Sequence, residues 1–345
     1  MVREFFVSLI ALFLGLLVGA AVMLFGGYNP LEAYRALFWS VLTSPYQLGE
    51  MLRESTPLLL TGISVALAYR AGLFNIGAAG QMYLGGVAAA WVGIAWELPP
   101  VLHAGLAVTT AALAGALWGA LAGYLKAWRG VHEVISTIML NWTALYLGNG
   151  LIRAYLLDPN QRQRSHFVAA SATLDSPTLA SLFGQARLGY GFVLALLALV
   201  VYAVLLEWHT LGFALRASGL SPGAARYAGI PPGRSIVLAM GLAGAFAGVA
   251  GATEVLGVFH YMGIAAALPN AGFDGIAVAL LGGNTAPGIL LAGLFFGLLN
   301  YGAGSMQFVA GVPLEAVRIV VAAVLFFVAV RYVFERWVGV RRPAE

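Results

Sequence analysis

Cysteine is absent from this chain, lysine occurs once, at Lys126, and only 9% of the 345 residues are charged. The first absence excludes disulfides, thiolate metal sites and cysteine nucleophiles. The second excludes a P-loop, which needs a Gly-Lys-Ser/Thr run so that backbone amides and a lysine cradle phosphates; Lys126 sits instead in the run YLKAW. Five histidines, His103, His132, His166, His209 and His260, lack metal-ligand spacing. No close carboxylate pair suggests hydrolysis. The chain is therefore not expected to be an enzyme, nor to hold a metal or cofactor of its own.

Oil takes the place of charge. Hydrophobic residues make up 61% of the chain and the mean hydropathy is +0.88, where a soluble domain carries about 25% charged residues. This is the composition of an all-α polytopic membrane protein, read as one transmembrane domain over residues 1–345. The 44 glycines suit helices that approach closely in lipid. A pI near 9.4 reflects arginines at helix ends, a matter of topology, and no nucleic-acid partner is expected.

Ten membrane spans are expected. The first, residues 5–25, follows Arg3 and is too long for a signal-peptide core, so it reads as an uncleaved helix. A polar-to-mixed segment, 26–57, precedes the second span, which is apolar over 58–71 and is expected to start near 47. The others are 82–96, 101–125, 134–152, 189–206, 235–257, 262–281, 287–302 and 313–332. Boundaries are least sharp for the second, third and eighth. Gly115, Gly119 and Gly123 form a ridge at four-residue spacing in the fourth span, and Gly244 and Gly248 a small-residue pair in the seventh.

An even number of spans puts both termini on one side, and charge selects it. Arg3, Arg70, Lys126, Arg129, Arg216, Arg226, Arg234, Arg331, Arg336, Arg341 and Arg342 fall on the side of the termini. Arg35, Arg53, Arg153, Arg162, Arg164 and Arg187 fall opposite. Eleven against six places both termini in the cytoplasm. Residues 153–188 become an external loop and residues 207–234 a cytoplasmic one.

The cytoplasmic loop carries a short helix with legible ends. Ser221 is a good N-cap, Pro222 suits the first helical position, Gly229 suits a left-handed C-cap, and Pro231 and Pro232 forbid extension. Ala224, Tyr227 and Ala228 would share one face, with small residues that let another protein approach. A plain loop helix and a docking helix are both consistent with this local sequence.

Two polar stretches lie at membrane depth. In GLFNIGAAGQ (72–81), three glycines allow unusual backbone angles, while Asn75 and Gln81 bring hydrogen-bonding groups into a region where irregular backbone needs protein or water to satisfy it. It reads either as part of a translocation path or as a tight interhelical turn. The fifth span holds Ser136, Thr137, Asn141, Thr143 and Asn149. Thr137 and Asn141 share a face, which either lines a path for a polar, uncharged solute or bonds to neighbouring helices. Among acidic residues, Glu133 and Glu315 sit at span starts, while Glu254 and Asp274 keep open an ion-coupled carrier.

Four blocks together resemble the permeases of bacterial nucleoside and simple-sugar ABC importers: RAGLFNIGAAGQMYLGG (70–86), GVHEVISTIMLNW (130–142), LRASGLSPGAARYAGI (215–230) and ALLGGNTAPGILLAGLFFG (279–297). They occur in order and span most of the chain. Ala79 stands where the family pattern has an acidic residue, so no role for that side chain carries over. GYNPLEAYRALF (27–38) is similar to the first of two permeases in importers of the basic-membrane-protein type. The resemblance implies a pore shared with a second, related permease, a separate ATPase that binds ATP and Mg, and an extracellular lipoprotein or periplasmic receptor. It also implies that the helix at 221–229 is a coupling helix, with Arg216, Ser221, Ala224, Ala225, Arg226, Tyr227 and Gly229 as the coupling residues. Asn75, Gln81, Thr137 and Asn141 are the candidates for the solute path, and a nucleoside or simple sugar is the expected solute. A branched-chain amino acid permease is the nearer alternative and an ion-coupled secondary transporter the more distant one.

Overall fold

The computed structural model describes residues 2–329. Among the described residues the regular structure is helical except for one small hairpin, Leu157–Asp158 (β1) with Gln161–Ser165 (β2). The α-helices are α1 (Val2–Phe25), α2 (Pro30–Thr43), α3 (Pro45–Arg70), α4 (Ala78–Ala95), α5 (Pro100–Arg129), α6 (Glu133–Leu151), α7 (Pro177–Leu182), α8 (Tyr190–Glu207), α9 (Thr210–Leu220), α10 (Pro222–Tyr227), α11 (Pro232–Glu254), α12 (Asn270–Leu281), α13 (Ala286–Ala310) and α14 (Leu314–Ala329). Each expected span falls on a helix. Five are long and apolar enough to cross a bilayer by length and composition: α4, α5, α8, α13, and α11 continued to Phe259; α12 is a shorter apolar helix. The expected end of the last span at Tyr332, and Arg331, Arg336, Arg341 and Arg342, lie outside the described residues.

Two details near the N-terminus sharpen the expectation. The polar-to-mixed segment contains α2, whose Asn29 cap accepts a hydrogen bond from the Leu31 amide at 3.1 Å, followed by Pro30 in the first turn. The next helix starts at Pro45, two residues before expected, and runs unbroken through Pro57. Pro57 supplies no amide to the Arg53 carbonyl, and tight tertiary packing offsets that loss. The eighth span is shorter than expected, because residues 260–269 are irregular and α12 begins only at Asn270.

Helix α3 is the hub. Every residue from Ser55 to Ala68 is buried, polar Ser55, Thr56, Thr61 and Ser64 included. A helix buried all round needs its hydroxyls satisfied internally. Ser55 donates to the Met51 carbonyl and Thr61 to that of Pro57, both at 2.8 Å; Thr61 also reaches the Ala271 carbonyl at 2.8 Å, fastening the start of α12 to α3. Helices α8, α11, α12 and α13 pack around this hub.

The glycine ridge of α5 and the glycine pair of α11 form a single seam. A Cβ at Gly115 would collide with the Gly244 carbonyl oxygen, one at Gly119 with that of Met240, and one at Gly248 with that of Ala111. The backbones are therefore in direct contact, and side-chain-free surface is what permits it.

The two ends of the bundle differ. At one end β1, β2, α7 and the chain after α11 form a cap. Ser165 accepts from the Met262 amide at 2.9 Å, and the Glu50 carboxylate on α3 receives the Arg187 amide and side chain at 2.8 Å each. At the other end α9 and α10 project from the bundle, with Tyr227 97% exposed.

Candidate functional site

The residues singled out in the sequence fall at two places, both on the α9–α10 half of the bundle. The first is the joint between α3 and α4. Asn75 and Gln81 exchange amide hydrogen bonds, Nδ2 to Oε1 at 2.8 Å and Nε2 to Oδ1 at 3.1 Å. Asn75 also donates to Ser64 Oγ at 3.1 Å and accepts from the Gly77 amide at 3.0 Å. Asn141 of α6 accepts from the Gly80 amide at 2.8 Å and donates to the Ile76 carbonyl at 2.9 Å. Thr137 donates to the Glu133 carbonyl at 2.7 Å, within its own helix, and its Cβ lies against Gly77.

All four side chains are buried. They are brought together, but each amide spends its donors and acceptors on its neighbours. Non-helical backbone at this depth requires such partners. The group therefore supports the irregular joint, while the linings of the cavities described below come from other residues. Ala79, at the acidic position of the family pattern, lies against Gly272 of α12, where a Cβ would strike its Cα. A carboxylate there would have to displace α12.

The second place is the α9–α10 end. Ser221 Oγ accepts from the Ala224 amide at 3.3 Å, Pro222 opens α10, and Gly229 closes it in the left-handed region at φ +78°. The caps fall where the residue types put them. Ala224, Arg226, Tyr227 and Ala228 are exposed, whereas Ala225 turns inward and is buried. Arg216 of α9 lies deeper: with Arg70, Tyr69 and Phe213 it lines a cavity of about 510 Å³, and the Nε atoms of both arginines are buried without a hydrogen-bond partner. Between the two places runs a backbone contact. Gly219 at the end of α9 and Gly72 at the end of α3 touch so closely that a Cβ on either would meet the main chain of the other segment. Gly72 also sits at φ +71°, where a side chain is strained.

Sequence reasoning missed a third place. Glu254, at the end of α11, lines a cavity of about 310 Å³ together with Tyr83, Phe259, Tyr261 and Met262. It also lines another of about 520 Å³ with Glu54, Asn270, Asp274, Asn300 and Arg318. Glu254 and Asp274 stood out in the sequence only as ionisable residues in spans; their shared cavity brings together α3, α11, α12, α13 and α14, whose residues are far apart in the chain. Glu50, Glu54, Glu133, Asp158 and Asp175 are engaged. Glu133 is ion-paired with Lys126, and Glu50 with Arg53 and Arg187. No group of three or more metal-ligating residues occurs among the described residues.

The family model described as branched-chain amino acid transport system / permease component matches residues 47–329. A guanosine ABC transporter permease protein of Bacillus subtilis is 46% identical over 94% of this chain and 93% of its own length. A nucleoside ABC transporter permease protein of Lactococcus lactis is 39% identical over 96% of this chain and 93% of its own. A glucose ABC transporter permease protein of Haloferax volcanii is 35% identical, covering 93% and 86%. No solved structure matches the chain.

Proposed function

The chain belongs to the family of branched-chain amino acid transport system permease components, and from that premise we propose that it forms the translocation path of an ATP-driven importer for nucleosides, with simple sugars as the next solute class. The observation that carries the solute class is the near-full-length similarity to two permeases named for guanosine and nucleosides. The family's own description favours branched-chain amino acids, but the sugar-permease relative already shows that the family is not confined to them.

A permease of this family works with an ATP-hydrolysing subunit and a substrate-binding subunit in a membrane. Lacking a P-loop of its own, the chain needs that external motor. ATP and Mg then belong to the ATPase, and the receptor is a lipoprotein or a periplasmic protein. A second, related permease completes the pore, a reading supported by the segment GYNPLEAYRALF that forms the start of α2. The α9–α10 end faces the cytoplasm in this reading, as its arginines favour.

There α10 docks on the ATPase through Ala224, Arg226 and Tyr227, with Ser221 and Gly229 fixing its ends. Ala225 holds it to its own chain, and Arg216 stands behind it. When the ATPase pair closes, its push on α10 reaches α9, and the Gly219–Gly72 contact passes it to the α3–α4 joint. The bonds of Asn75, Gln81, Thr137 and Asn141 hold that joint, so these residues bear on translocation through its geometry. The outcome is a shift between inward-open and outward-open states.

Competition tests the solute class. In cells expressing the whole importer, unlabelled uridine, adenosine and guanosine are each expected to suppress uptake of labelled uridine, and leucine to leave it unchanged. Labelled leucine uptake, with no uridine uptake, would hand the assignment to the amino acid reading.

A further inference from the structure

The two cavities that meet at Glu254 differ in chemistry. The smaller, about 310 Å³, is walled by Phe259, Tyr261, Tyr83, Met82 and Met262. Such a wall suits a flat, polarisable ring, which stacks on aromatic faces and packs against thioether sulfur. The larger, about 520 Å³, exposes Glu54, Asn270, Asp274 and Asn300 along with Arg318. Carboxylates and amide oxygens are acceptors, so this chamber suits a ligand rich in hydroxyl donors. Both volumes lie in the range of small-molecule sites.

Glu254 is where they join, since its side chain lines both. Among the described residues it has no hydrogen bond or ion pair to the protein, unlike Glu50, Glu54 and Glu133. A carboxylate without a partner inside a membrane bundle is costly, and it persists where a solute or water path uses it. The neighbourhood is also held in place. Thr61 pins the start of α12 through the Ala271 carbonyl, and Asn149 bonds both the amide and the carbonyl of Ala265 at 3.0 and 2.9 Å. Tyr83 OH donates to Asn149 Oδ1 at 2.6 Å, which orients its ring along the smaller cavity.

We propose that these two cavities form one nucleoside-binding site: the aromatic and thioether wall takes the base, the acceptor-lined chamber takes the ribose, and Glu254 accepts a hydrogen bond from a solute hydroxyl or ring N–H at the junction. The inference rests on the nucleoside reading above and adds the place and polarity of the site. Glu54 is paired with Arg53, which leaves the Glu254 and Asp274 carboxylates against Arg318; that excess of negative charge repels anions, so phosphorylated nucleosides and amino acid carboxylates are disfavoured. Gly86 keeps the smaller cavity open. A Cβ on Gly86 would press on Val255 and the Met262 sulfur, narrowing the space beside the wall.

The test uses the complete importer, with its ATPase and receptor, in vesicles, and 5-azidouridine and uridine as probes. Light-activated 5-azidouridine is expected to label the wild-type permease within residues 82–86 or 254–262. Glu254→Gln, which keeps the shape and removes the charge, is expected to lower uridine uptake at subsaturating concentration by about tenfold or more, the loss of one charged acceptor. It is also expected to raise uridine monophosphate uptake relative to uridine. Uridine uptake within twofold of wild type in Glu254→Gln, with unchanged selectivity, would overturn the proposal. So would labelling confined to residues 75–81 and 137–141. The labelling is done on the wild type, so it decides even if the variant fails to insert. A wild-type importer that moves no nucleoside at all would instead refute the solute class.

Discussion

Glu50 and Glu254 are the same side chain in two different situations, and the contrast separates structure from function at the scale of single residues. Glu50 is 1% exposed and accepts hydrogen bonds from Arg53 Nε at 2.9 Å and Arg187 Nη2 at 2.8 Å, so it fastens the 153–188 loop to the hub helix. Among the described residues Glu254 has no such partner, and it lines both cavities. Removing the carboxylate from a buried ion pair strands the opposite charge, so Glu50→Ala is expected to cost about 3 kcal/mol. Thermal unfolding of the purified permease in detergent checks this: a lower midpoint is expected for Glu50→Ala, while Glu254→Ala should leave it close to wild type. Equal destabilisation by both would remove the distinction. Asn75, Gln81 and Asn141 belong with Glu50, since their amides are consumed in holding the α3–α4 joint.

At the scale of elements, the contact between Gly72 and Gly219 links the exposed α10 to the interior. A side chain at either glycine would push α9 away from the joint. Gly72→Val is therefore expected to reduce nucleoside uptake at least about tenfold while the assembled importer still hydrolyses ATP, the signature of lost transmission. Gly105→Ala, whose Cβ meets nothing within 4 Å, is the neutral control. Uptake and hydrolysis falling together would point to misassembly instead.

The elements show what could be read in the chain beforehand. The ends of α10 were legible because Ser221, Pro222 and Gly229 each act on the backbone locally. The glycine ridges on α5 and α11 were legible one at a time, but their meeting in one seam depends on the tertiary fold. Helix α2 was missed because Glu32, Arg35 and Ser40 break up a run of only 14 residues that never needs to be oily throughout. The irregular stretch before α12 was missed because 262–268 is nearly as apolar as the helix that follows. The joint residues were singled out for their polarity and depth, and that reasoning could not separate lining a path from bonding to one another. The cavities at Glu254 left the weakest trace, since their walls come from helices distributed along the whole chain.

For the whole molecule, the account divides labour among subunits. In the proposed importer the permease holds the path and a transmission element, the ATPase supplies energy, and a receptor delivers solute. The competing reading, an ion-coupled carrier, would make Glu254 and Asp274 proton or sodium sites and would need no partner. The energy source separates the two most directly. Vesicles containing the complete importer, loaded with ATP on the α10 side and treated with a proton and sodium ionophore, are expected to accumulate uridine delivered by the receptor, and to stop when a non-hydrolysable ATP analogue replaces ATP. Uridine accumulation by the permease alone, driven by an imposed proton or sodium gradient without ATPase or ATP, would contradict the account.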